Sequence, residues 1–211
     1  MFDNLLHYLK LSLITGLLAG MSYSAYAAPV ITTGTVIIPG NSSCPKKPLT
    51  INYKVGDIGP GGGWIFFVDK DDQYPCLTYL EAAPTGTGAG KVWCDKDTTS
   101  IPATGGWAGK GVGKGQANTT AMLGVCTSGA ANAADLYLTA TKSDWFLPSL
   151  GELMLMYTNL LQAGVGGFAN NNYWSSTELL SYNAWYQGFN FGYQASEYKY
   201  FTLPVRAVRA F

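Results

Sequence analysis

The segment Asp144-Trp145-Phe146-Leu147-Pro148-Ser149-Leu150-Gly151-Glu152-Leu153 runs from an aromatic word through a proline into a helix start. Ser149 and Glu152 stand at capping-box spacing, each able to satisfy an otherwise free amide of the first turn. Leu150, Leu153, Met154, Tyr157, Leu160 and Leu161 then recur at helical spacing on one face, which predicts a helix over 149–161. Downstream lie Tyr173-Trp174-Ser175-Ser176-Thr177-Glu178, Ala184-Trp185 and Val205-Arg206-Ala207-Val208-Arg209, which predict three aromatic strands near 173–177, 184–191 and 198–209. Upstream, a looser alanine-rich stretch predicts a helix over about 119–138, broken at Ser128-Gly129. Two helices wedged between groups of short antiparallel strands give an α+β domain.

The segment before these helices supplies the first strands. Residues 51–55 and 64–69 read as strands around the turn Gly59-Pro60-Gly61-Gly62-Gly63, and Asp69-Lys70-Asp71-Asp72-Gln73 reads as the next turn before a strand near 78–82. From 85 to 115 the composition is mostly Gly, Thr, Ala and Lys, with Trp93 and Trp107 as apolar anchors, so a long loop region is expected. Such loops often carry binding function because a rigid scaffold positions them.

The ordered set of these words, from Tyr53-Lys54-Val55-Gly56-Asp57 to Arg209, resembles the C-terminal domain of the Legionella collagen-like adhesin, a family related in fold to C-type lectins and formylglycine-generating enzymes. Leu80-Glu81-Ala82-Ala83-Pro84, Gly115-Gln116-Ala117-Asn118-Thr119-Thr120 and Ala130-Ala131-Asn132-Ala133-Ala134 belong to the same match, which covers 51–211. The resemblance implies a C-type-lectin-like domain with a long loop region, acting as an adhesin on host or matrix glycans, sulfated glycosaminoglycans among them. It also implies a homotrimer. The chain departs from the family namesake in lacking a Gly-X-Y repeat, so any oligomer must form through the domain itself. The Glu-Pro-Asn or Gln-Pro-Asp word of calcium-dependent sugar binding is absent, as are late cysteines for oxidase chemistry.

Residues 1–27 read as a signal peptide: Lys10 precedes an apolar run, and Ser24-Ala25-Tyr26-Ala27 supplies the small residues that a signal peptidase reads. The run is too short for a membrane span, and Met21 stands where a lipoprotein needs cysteine. Residues 28–50 form an extended leader rich in Thr, Pro, Gly and Ser. The remaining 51–211 is one domain, exported to the cell surface or beyond. Its charge is balanced, the whole chain carrying 13 Lys+Arg against 13 Asp+Glu, so no whole-protein field attracts nucleic acid or other polyanions. In an oxidising compartment Cys44, Cys76, Cys94 and Cys126 are expected to pair as disulfides, in any of three connectivities.

The single histidine, His7, lies in the signal segment, which removes Ser-His-Asp, Cys-His and His-metal chemistry from the exported part. No catalytic, metal or cofactor site is expected. Gly86-Thr87-Gly88-Ala89-Gly90-Lys91-Val92 fails as a phosphate loop at its first glycine and at its hydroxyl position. Asp69, Asp71 and Asp72 read as a solvated turn, lacking the bidentate glutamate of a calcium loop. Glu152, Glu178, Arg206 and Arg209 read as buried scaffold pairs, with Glu152 expected beside Arg206 or Arg209. Trp145, Trp174 and Trp185 read as packed core. The candidate ligand site is a local basic edge of Lys110, Lys114, Lys142 and Lys199 around Trp107, whose indole can stack on a sugar ring. The alternative is an envelope assembly protein whose aromatic surface contacts another protein.

Overall fold

In the computed structural model, which describes residues 52–74 and 76–211, two three-stranded antiparallel sheets are joined by a helical segment. The first sheet has the order β1 (Trp64–Val68), β2 (Tyr79–Ala82), β6 (Val208–Ala210); the second runs β3 (Asn172–Leu180), β4 (Asn183–Gly188), β5 (Gln194–Tyr198). Between β2 and β3 the chain forms α1 (Gly106–Lys110), α2 (Gly115–Leu123), α3 (Ala130–Asp135) and α4 (Leu150–Met156). The α+β class expected from the sequence is present, with four short helices in place of two among the described residues. The signal peptide 1–27, the leader 28–50, Cys44 and Ile51 lie outside those residues.

The first sheet is organised by a buried charge. Glu81 sits on the central strand with no solvent exposure, and a carboxylate there is tolerable only if its lone pairs are filled. It accepts hydrogen bonds from the amides of Gly61 and Gly63 at 2.9 and 2.7 Å and from Arg209 Nη1 at 3.1 Å. Arg209 in turn forks onto both oxygens of Asp144, each at 2.8 Å. The glycine turn therefore folds back onto β2, where a Cβ on Gly63 would come within 1.9 Å of the Ala82 carbonyl. This docking displaces the hairpin expected over 51–55: residues 52–55 are not a strand, and β1 takes β2 as its partner.

Local signals held best in the helices. Ser149 Oγ accepts from the Glu152 amide while Glu152 accepts from the Ser149 amide, so the capping box exists, and α4 continues into a π-helical turn, Tyr157–Leu161. The break at 128–129 is also present, with Gly129 at φ +141° against the Trp93 carbonyl. The loop region 85–115 is less open than its composition implies, because it holds α1 and a 3-10 turn at Pro102–Thr104.

Two apolar clusters fill the interior. One gathers Trp93, Trp174, Met122, Leu147 and the Cys94–Cys126 disulfide; the other gathers Phe66, Leu80, Leu153, Met156, Leu160, Tyr173 and Phe189. Burying each large side chain stabilises the domain by about 1.5–3 kcal/mol. Trp93 Nε1 donates to the Ser175 carbonyl and Trp174 Nε1 to the Lys91 carbonyl, so both indoles are buried with their polar atoms satisfied. The last expected strand, over 198–209, divides: β5 ends at Tyr198, and Val208–Ala210 crosses to the other sheet as β6.

Candidate binding site

α1 is five residues long, and its i, i+3 spacing places Trp107 and Lys110 on one side. Trp107 is 89% exposed. The Lys110 ammonium lies 5.3 Å from the Trp107 ring centre and 3.8 Å from that of Trp185 on β4, so one cation serves two indoles. Among the described residues no carboxylate stands within ion-pair distance of Lys110. Trp185, expected in the core, is only half-buried, and its ring forms part of this surface. It stands opposite Ser196 in the β4–β5 register, with the Lys110 ammonium over its ring.

The helix is held from beneath. Glu152, fully buried, accepts from the amides of Gly113 at 2.8 Å and Gly115 at 3.3 Å, and Ser149 Oγ donates to the Gly111 carbonyl at 2.7 Å. The α1–α2 connection is thereby fastened to the start of α4. Burial pushes the Glu152 carboxyl up to about 7, against the opposing pull of its backbone donors. No arginine takes part, which corrects the expected pairing of Glu152 with Arg206 or Arg209. Arg206 instead donates to the carbonyls of Ala83 and Gly167 and lies over the Phe168 ring, while Arg209 belongs to Glu81 and Asp144. Those backbone acceptors carry no sequence signature.

The other lysines divide. Lys199 does not join a basic edge: it is fully buried, its ammonium bonded to Glu178 at 2.5 Å and to the Thr99 carbonyl at 2.8 Å, above the Trp93 ring. Burial depresses its pKa, and Glu178 opposes that shift. Lys114 is exposed on the α1–α2 connection. Lys142 sits in a separate turn whose carbonyl accepts from Trp145 Nε1, beside the Asp144–Arg209 pair. Trp145 and Trp174 are buried as expected. Glu178, filled by Lys199, Ser100 and the Ile101 amide, and Glu152, filled by backbone, each fasten a different loop.

A second aromatic group went unread in the sequence. Tyr182, Tyr198, Tyr200 and Phe201 are 44–55% exposed, with near-parallel rings: Tyr198 and Tyr200 are 5.4 Å apart at 13°, and Tyr200 and Phe201 4.9 Å apart at 27°. The run 198–201, three aromatics around one lysine, was the available signal, absorbed in the aromatic strand expected over 198–209.

Cysteine chemistry is structural. Cys94 and Cys126 are joined, Cys76 is also disulfide-bonded, and no described cysteine is free. Asp95 beside that bridge is occupied by the Thr127 hydroxyl and the amides of Thr127 and Ser128. No helix among the described residues is long and apolar enough to cross a membrane.

No protein-family model matches the chain, and no curated protein matches it. Among solved structures, the crystal structure of a fimbrial protein from Bacteroides ovatus is similar, with a TM-score of 0.50 and 16% sequence identity over 71% of this chain and 44% of that one. The chain thus spans less than half the length of that protein, and what the two share is the fold.

Proposed function

We propose that this α+β domain is C-type-lectin-like and serves as an exported, surface-associated binding module for glycans, without catalysis. The observation that carries the reading is the Trp107–Lys110–Trp185 surface. The exposed Trp107 indole and the half-buried Trp185 ring flank one ammonium that has no ion-pair partner among the described residues, an aromatic patch of the kind that marks an interaction site. Indole faces stack on the apolar faces of sugar rings, and the ammonium suits an acidic or hydroxyl-rich substituent. The cysteine pairing suits an oxidising exterior. The fold shared with a fimbrial protein agrees with a place at the cell surface, and it also favours a second reading, in which the same aromatic surface docks an envelope protein.

A glycan array probed with the domain, with and without EDTA, separates the two. Binding that survives EDTA supports the glycan reading; a blank array together with a co-purified envelope protein supports the second. A sulfated ligand adds a further requirement, because it must rely on Lys110 and Lys114. Its retention should fall steeply as salt shortens the screening length from about 10 Å to about 3 Å, and further on Lys110→Ala plus Lys114→Ala.

A further inference from the structure

The register of the second sheet joins the two exposed aromatic groups. In the β4–β5 pair Asn183 stands opposite Tyr198 and Trp185 opposite Ser196, and residues directly opposite each other share a face. Residues two apart on one strand also share a face. Trp185 and Tyr198 are therefore diagonal neighbours on the same side of the sheet, separated by Ser196 and Asn183, whose side chains are small. At one end of this line the Lys110 ammonium lies over the Trp185 ring and also faces the Trp107 ring. At the other end Tyr198 stacks on Tyr182 at 6.0 Å and on Tyr200, and Tyr200 continues to Phe201. The result is one line of rings from Trp107 to Phe201, exposed at both ends and half-buried at Trp185.

Charge along the strip decides what it fits. Lys110 is the cation shown on it; Lys199, which lies between Tyr198 and Tyr200 in sequence, turns inward to Glu178. One ammonium against six aromatic rings matches a ligand with many apolar faces and few negative charges. A densely sulfated chain needs cations at each repeat and finds them here at one end alone.

Resting on the glycan reading of the Trp107 surface, we propose that the ligand is an extended, unsulfated linear polysaccharide of low charge density, bound through several consecutive sugar rings along the strip, with Lys110 taking a carboxylate. Tyr198, Tyr200 and Phe201 contact the far units of the chain, so they act only on ligands long enough to reach them.

The test uses short and long size fractions of hyaluronan, which carries one carboxylate per disaccharide and no sulfate, with heparin fractions of matching length beside them. Wild-type affinity is expected to rise about tenfold from the short to the long hyaluronan fraction, as two added stacking contacts imply. Tyr198→Ala with Tyr200→Ala should erase that rise and leave short-fraction binding intact, whereas Tyr198→Phe with Tyr200→Phe, which keeps the rings, should retain it. Trp107→Ala should weaken both fractions. Length-independent binding, or a double alanine variant equal to wild type on the long fraction, overturns the strip and leaves the Trp107 site standing. Tighter binding to heparin than to hyaluronan overturns the low-charge argument. No binding of either polymer overturns the strip proposal, while the glycan array decides the glycan reading separately.

Discussion

Lys110 and Lys199 carry the same charge and end in opposite surroundings. Composition treats both as solvated, since lysine is seldom fully buried without a partner. Lys199 has that partner in Glu178, 21 residues away in sequence, and the Trp93 ring lies beneath it. Lys199 stands in the turn just after β5, where its amide donates to the Tyr182 carbonyl and its side chain enters the interior between two exposed tyrosines. Removing one member of a buried pair leaves an uncompensated charge, which costs about 3–5 kcal/mol. Lys199→Met is therefore expected to lose that much stability in urea unfolding while the folded fraction keeps its ligand affinity. Adding Glu178→Leu should recover much of the loss. A binding defect at unchanged stability would return Lys199 to the ligand site.

At the scale of elements, the start of α4 shows both what sequence conveys and where it stops. The capping box was legible because it is local: Ser149 and Glu152 are three residues apart and satisfy each other's amides. The remaining acceptor capacity of Glu152 goes to Gly113 and Gly115, nearly forty residues upstream, and glycine amides leave no mark in a sequence. Glu152→Ala should accordingly destabilise the domain, at about 1–3 kcal/mol for each orphaned buried amide. Titration adds a direction. The folded Glu152 carboxyl holds its proton up to about 7, against an ordinary value of 4.5, so its stabilising contribution is complete below pH 4.5 and is lost as pH rises through 7. Asp95 runs the other way: the Thr127 hydroxyl keeps its carboxylate ionised down to about 2, so its contribution is present above pH 3.8 and is lost as pH falls towards 2. Between these windows the melting temperature is expected to reach its maximum on the acid side of neutrality. Glu152→Gln should flatten the decline between pH 4.5 and 7, and an unchanged decline would assign it to another group.

For the whole molecule, the class of fold was legible and its connections were not. Helical periodicity and aromatic strand words sufficed for an α+β domain, but the pairing of the last strand with β2 depends on Glu81 meeting Arg209 across 128 residues. Likewise the expected pairing of four cysteines left three connectivities open, and packing around Trp93 brings Cys94 to Cys126. That bridge closes a sequence separation of 32 residues, and such a loop constrains the unfolded chain by about 3–4 kcal/mol. Cys94→Ser with Cys126→Ser is expected to lower unfolding stability by that amount without changing ligand specificity. Of the two tryptophans expected in the loop region, Trp107 is exposed on α1, whereas Trp93 is drawn inward and donates to the Ser175 carbonyl.

The central claim is that the exposed indole of Trp107 is the heart of a ligand surface. Its most direct test is a side-by-side binding isotherm of wild-type and Trp107→Ala protein, on the glycan that gives the strongest EDTA-resistant array signal, with melting curves on both. The expected result is a fall in affinity of about tenfold or more, the loss of one good stacking contact, at an unchanged melting temperature. Equal affinities, or a loss that tracks a fall in melting temperature, would contradict it.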